Sequence, residues 1–144
     1  SRDRANLLLE TRWAVTPRDI QRAMLETKPS IVHFSGRSGE DDSLADFFQL
    51  FADRLECVLL NDDHSAVSAA AIAQHINYTI GMNNSIPTQS AIEFAVGFYD
   101  AIGAGESIEF AFSLGCHAIR LARLAGHDVP VLKCKGAIAA PSSS

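Results

Sequence analysis

Cysteine is scarce in this chain, and its placement excludes more than its number does. Cys57, Cys116 and Cys134 are the only three cysteines in 144 residues, widely spaced and without a C-x-x-C pair. Neither a structural zinc site nor a disulfide framework is expected from such a set, and a reducing cytoplasm is the expected home. Long apolar runs are missing as well. No stretch reaches the roughly 18 apolar residues of a membrane span, and no basic-then-apolar leader is present, so a protein neither membrane-bound nor exported is expected. Positive charge is in deficit: 12 Lys and Arg stand against 17 Asp and Glu, a net charge of −5. No Lys/Arg run interleaves with aromatics, which sets nucleic acid aside as the main partner. Repeats and linkers are absent too. What is there, at 47% hydrophobic residues, is enough for one globular domain over residues 1–136 that buries a core without disulfide or metal. Residues 137–144, ending Pro141-Ser142-Ser143-Ser144, are expected to form a flexible tail.

The apolar pattern alternates between two periods. Asn6 to Trp13 is strand-like. Thr16 and Pro17 then open a helix as N-cap and first helical residue, with Ile20 and Met24 on its inner stripe, and Lys28-Pro29 stops it. Ile31 to Phe34 reads as a strand. A polar link through Gly39, Glu40, Asp41 and Asp42 enters a helix whose Leu44, Phe47, Phe48, Leu50 and Phe51 are spaced for a buried face. Cys57 to Leu60 is the next strand, Ser65 caps a small-faced helix to Ile76, and Tyr78 to Met82 is a further strand, with Gly81 as a backbone requirement near its end. Beyond Pro87, Ser90 to Ile102 is helical with Ile92, Phe94, Ala95, Phe98 and Tyr99 at core spacing. Gly103-Ala104-Gly105 breaks it, Ser107 to Ala125 makes a second long helix, and Val129 to Lys133 forms a last strand. This order predicts an α/β sandwich with a mostly parallel sheet flanked by helices.

Two strand ends carry most of the functional information. Ile31-Val32-His33-Phe34 runs into Ser35-Gly36-Arg37, and Cys57-Val58-Leu59-Leu60 runs into Asn61-Asp62-Asp63-His64. Buried strands of a parallel sheet deliver a site at their carboxyl ends, so His33, Ser35, Gly36, Arg37, Asn61, Asp62, Asp63 and His64 are expected around one crevice. His33, inside its strand, reads as a hydrogen-bonded structural histidine rather than a base. Asp62, Asp63 and His64 make an incomplete, poorly converging ligand set, so neither metal nor other cofactor is expected there. Cys57 and Cys116 read as core residues.

Four segments together resemble a known family. They are Lys28 to Gly36, Leu55 to Asn61, His75 to Asn83 and Ala91 to Gly105, and in that order they look like the CHAT family, bacterial caspase-like domains of clan CD cysteine proteases. The resemblance implies a three-layer caspase-like sandwich. In that family the first strand run ends Ser-Gly-His-Gly, whose histidine is the general base, and the second ends Leu-Asn-Ala-Cys-Tyr-Ser, whose cysteine is the nucleophile. Matched position by position, the base falls on Arg37 and the nucleophile on Asp63.

Neither residue can do that chemistry. Arg37 cannot accept a proton and Asp63 is a weak nucleophile toward amides, so a degenerate site is expected, with Arg37 and Asp63 placed to form an ion pair across it. The family pattern also carries a further hydrophobic strand before Asn6 and a longer segment where this chain passes from Gly39 to Leu44. A sheet edge left for another segment to cover follows, and with it a protein partner or a homo-oligomer. The expected function is therefore an inactive caspase-like domain acting as a protein-interaction or regulatory module of a bacterial defence or signalling assembly. Two alternatives stay open: a cysteine peptidase with a relocated nucleophile, for which only Cys57 is near the crevice in sequence, and an acidic-pocket receiver or metal-dependent phosphohydrolase built on Asp62 and Asp63, with Lys133 as its late lysine.

Overall fold

The computed structural model describes residues 17–27, 29–34 and 43–136. The expected strand over Asn6 to Trp13, the Thr16 cap, the link from Gly39 to Asp42 and the tail after Gly136 lie outside the described residues.

Helix α1 (Pro17–Thr27) leads to β1 (Ile31–Phe34), α2 (Ser43–Gln49), β2 (Cys57–Leu60), α3 (Ala66–Ile72) and β3 (Tyr78–Met82). Two helices in succession, α4 (Thr88–Gly103) and α5 (Ile108–Leu121), then precede β4 (Pro130–Cys134). The sheet order is β1-β2-β3-β4. β1 pairs β2 in parallel with Ile31 opposite Cys57 and Phe34 opposite Leu60, and β2 pairs β3 in parallel with Cys57 opposite Tyr78. β4 runs antiparallel to β3, Met82 opposite Pro130. The result is the mixed α/β architecture with a mostly parallel sheet that the alternation of apolar periods predicts.

Every residue of β2 is buried, as expected of a parallel strand covered on both faces. Successive side chains of a strand point to opposite faces, and the chain uses both. Val32, Phe34, Val58 and Leu60 join Met24 of α1, Phe48 of α2 and Ile72 of α3 in one apolar cluster. Ile31, Cys57, Leu59 and Ile80 join Phe94 and Phe98 of α4 and Ile108 and Ile119 of α5 in another.

Several local expectations are corrected. Leu50 is 76% exposed and Ile92 48% exposed. Ile92 stands two residues, about 200° of helical turn, from the inward Phe94 and so lies away from the buried stripe, and Leu50 falls in the turn that follows the last residue of α2. Ser65 does not cap α3 through its side chain; its hydroxyl accepts the Met82 amide at 2.9 Å and ties the start of α3 to the end of β3. That helix stops at Ile72, and Ala73 to His75 continue as turns that deliver the buried Ile76. Ser107 does cap α5, accepting from the Phe110 amide at 3.1 Å. α5 ends at Leu121 rather than Ala125, because Arg123 takes a left-handed conformation with φ 60° and the Ser90 hydroxyl captures the Ala125 carbonyl at 2.6 Å. Gly81 is needed for space rather than for a left-handed backbone. A Cβ there would sit 2.8 Å from the Ala69 Cβ and 2.9 Å from the Ser65 carbonyl oxygen, so its hydrogen lets α3 lie close against β3. Cys57 is fully buried as expected, whereas Cys116 is only half-buried.

Candidate functional site

β1 and β2 end side by side, and the chain leaves a cleft of about 580 Å³ at that end. His33 of β1 and Asn61, Asp62 and Asp63 after β2 line it, so four of the residues expected at the crevice share one cavity. The facing wall is formed by Ile86 and by Thr88, Ala91, Ile92, Ala95, Val96 and Tyr99 of α4. Ser35, Gly36 and Arg37 lie outside the described residues, and the expected Arg37 to Asp63 ion pair with them.

Asp63, the position matched to the nucleophile, has a structural task. Its Oδ1 accepts the Ile86 amide at 3.0 Å, a bond between the loop after β2 and the loop after β3. His64 extends this clasp. Its amide donates to the Asn84 carbonyl at 3.3 Å, and its Nε2 lies 3.4 Å from the Ser85 hydroxyl. Asn84 in turn accepts the Ser85 amide on Oδ1 at 2.8 Å. Reaching these partners puts His64 at φ 58°, a conformation uncommon for a residue with a side chain. His64 is exposed and is not among the residues lining the cleft. The two loops are stitched together by side-chain acceptors where turns of this polarity need them.

His33 departs from its expected role. It is half-buried, and its Nε2 is buried without a hydrogen-bond partner among the described residues. The ring instead stacks on Tyr99, with centroids 6.1 Å apart and planes 28° from parallel. Burial holds the imidazole below its ordinary pKa of 6.5, because a charged ring loses its water on burial. Burial likewise pushes the Tyr99 hydroxyl up, and its oxygen too is buried without a partner among the described residues. His33 and Tyr99 thus meet ring to ring at the cleft, each with one buried polar atom unpaired among the described residues.

No thiol lines the cleft among the described residues. Cys57 is 0% exposed and sits at the start of β2, the other end from Asn61. Burial pushes the Cys116 thiol up to about 11. Cys134 is also raised, by burial first and then by Glu109. Among the described residues no three His, Cys, Asp or Glu side chains gather as metal ligands, and no helix is long and apolar enough to cross a membrane.

The α4 wall is the part of the site that sequence reasoning missed. Its signal was present: Ile92 and Val96 are four residues apart, off the stripe of Phe94, Phe98 and Ala101, and apolar residues at such positions mark a second helix face with something to cover. No protein-family model matches the chain, and no curated protein matches it.

Proposed function

We propose that this chain is a CHAT-type caspase-like domain, a three-layer sandwich whose peptidase site has lost its chemistry and which acts by binding protein, as a scaffold or regulator within a cytoplasmic bacterial defence or signalling assembly. The observation that carries this reading is the position of Asp63. The residue matched to the nucleophile stands at the carboxyl end of β2, on the wall of the cleft, and serves as a hydrogen-bond acceptor for a neighbouring loop. A carboxylate there supports the fold of the site without offering the thiolate that amide attack requires. Cys57, the one candidate for a relocated nucleophile, is fully buried, which favours the inactive reading over a displaced catalytic thiol.

The test is direct. The chain is incubated with a diverse peptide library and with a thiol-directed activity probe. No turnover and no turnover-linked labelling is expected; labelling that tracks cleavage and disappears in Cys57→Ala would overturn the reading.

The partner surface of this reading is the β1 edge, and it is supported by β1 pairing with β2 alone among the described strands. A second copy or a partner strand adding there uses the ordinary chemistry of sheet edges. Sedimentation equilibrium at micromolar concentration is expected to show a species heavier than the monomer, and a soluble, fully folded monomer would remove the self-association arm of this reading.

A further inference from the structure

We infer that the outer face of α5 is a self-association surface, on which α5 of a second copy of this chain packs antiparallel, Phe110 of each copy against Leu121 of the other. The surface shares no residue with the cleft. The inference therefore goes beyond the inactive-peptidase reading and does not depend on it.

α5 is apolar on two sides. Ile108, Ala111, Gly115 and Ile119 are buried and turn one side toward the core. Phe110, Leu114, His117 and Leu121 follow one another at steps of four, three and four residues on the other side, and at 100° per residue they fall in a strip about 60° wide. Phe110 is 49% and Leu121 71% exposed, Leu114 is half-buried and His117 exposed. That spacing is the seam of paired helices, and an outward apolar strip marks a contact surface.

The charges beside the strip select the occupant. Glu109 stands in the first turn of α5 and Arg120 in the last, and eleven residues apart they lie within about 20° of each other round the helix, on one flank of the strip. An antiparallel second α5 sets Glu109 of each copy beside Arg120 of the other, whereas a parallel one sets like charges together. The helix dipoles agree, since each positive N-terminus then lies against a negative C-terminus. Glu109 Oε2 accepts the Tyr78 hydroxyl at 2.7 Å, which holds the carboxylate on that flank and leaves Oε1 for the guanidinium. Across the two-fold axis Phe110 meets Leu121 and Leu114 meets His117, each twice, the self-complementary contact that a two-fold dimer requires. His117 is the polar residue of the seam, and a single polar position of that kind fixes register. Three to four turns of helix bury less than the roughly 1,200–2,000 Å² of a standard interface, so the association is weak.

Sedimentation equilibrium of the full chain over about 10–500 μM, the range of weak interfaces, tests the inference with three variants: Leu121→Lys, Arg120→Glu, and the exchange of Glu109→Arg with Arg120→Glu. The parent chain is expected to self-associate as its concentration rises. Leu121→Lys is expected to weaken that association at least tenfold and Arg120→Glu about fivefold, as reversal of two exposed ion pairs allows. The exchange is expected to return it to within about twofold of the parent, because opposite charges again meet across the axis. All three positions are exposed, circular dichroism checks that each variant is folded, and Phe110→Glu serves in place of Leu121→Lys should that variant not fold. None of these substitutions touches the β1 edge, so association that persists unchanged in Leu121→Lys belongs to another surface and overturns the inference. A parent chain that stays monomeric throughout the range overturns it too. Insensitivity to Arg120→Glu, or failure of the exchange to restore what Arg120→Glu loses, overturns the antiparallel second copy.

Discussion

Asp63 and Ile86 are joined across two loops: Asp63 Oδ1 accepts the Ile86 amide at 3.0 Å, and the loop that begins α4 is thereby held against the end of β2. The α4 residues that wall the cleft follow directly from Ile86, so this bond helps to set the width of the cleft as well as the stability of the loop. His64 reinforces it through Asn84 and Ser85. Exchange of Asp63 for a thiol would remove this acceptor, so the substitution is not without cost to the fold.

Asp63→Ala is expected to destabilise the chain by about 1 kcal/mol, the ordinary net worth of one hydrogen bond at an exposed site, and Asp63→Asn, which keeps an acceptor oxygen, by less. Urea unfolding followed by circular dichroism measures both. The same reasoning bears on the peptidase pair that the family resemblance implies at these positions. Asp63→Cys with Arg37→His supplies a thiol and an imidazole but removes the acceptor for Ile86, and misplacement of a site by about 1 Å can cost on the order of a hundredfold in rate. The double variant is expected not to cleave the peptide library robustly, and robust cleavage would show that only the catalytic pair was missing.

Gly81→Ala is expected to cost about 1–3 kcal/mol, the usual effect of overpacking. Its Cβ would meet the Ala69 Cβ at 2.8 Å and the Ser65 carbonyl oxygen at 2.9 Å, and backbone oxygen does not move aside as a long side chain does. Gly103→Ala is the control. Nothing lies within 4 Å of a Cβ at that position, near the end of α4, so it is expected to be neutral or slightly stabilising. Equal midpoints for the two variants in thermal unfolding would contradict the close approach of α3 to β3.

The parts of this architecture that were legible in the sequence are those whose cause is local. β1, β2 and β3 begin and end where their apolar, β-branched runs begin and end, and Asn61, Asp62 and Asp63 reach the cleft because a buried strand must release its polar residues at its carboxyl end. Strand direction is a different matter. Five residues such as Pro130 to Cys134 carry no mark of polarity, and the antiparallel pairing of β4 follows from the two-helix excursion that brings the chain back. The roles of Ile92 and Val96 were hidden for a similar reason. An apolar residue on a helix tells which faces are greasy, but which of them meets the sheet depends on how α4 lies across it. His33 illustrates the opposite case: its place was readable from alternation, while its stacking partner Tyr99, 66 positions later, was set by packing alone.

Stability is expected to fall below neutral pH partly through His33. Burial holds its folded pKa beneath the ordinary 6.5, so the unfolded chain takes up a proton first as the pH drops. Stability then rises with pH across the window between the folded value and 6.5, and this group contributes no pH dependence above it. The slope from one such group cannot exceed about 1.4 kcal/mol per pH unit. Unfolding free energies compared between pH 5 and 7 are expected to depend less on pH in His33→Gln than in the parent chain; identical slopes would place the titration elsewhere.

The three thiols are expected to react in a fixed order. Cys134 on β4 is half-buried, as Cys116 is, and burial and then Glu109 raise its pKa, but by less than the large shift at Cys116. Cys116 is half-buried with its thiol pushed up to about 11, which leaves about one thiolate in a thousand at pH 8, and the thiolate is the reacting species. Cys57 is 0% exposed at the start of β2, and only opening of the sheet admits reagent to it. Time-resolved mass spectrometry during iodoacetamide labelling at pH 8 should therefore show Cys134 modified first, Cys116 far more slowly, and Cys57 at the rate of unfolding. Native-state labelling of Cys57 as fast as that of Cys134 would mean that the thiol is accessible after all, and would reopen the case for a catalytic cysteine.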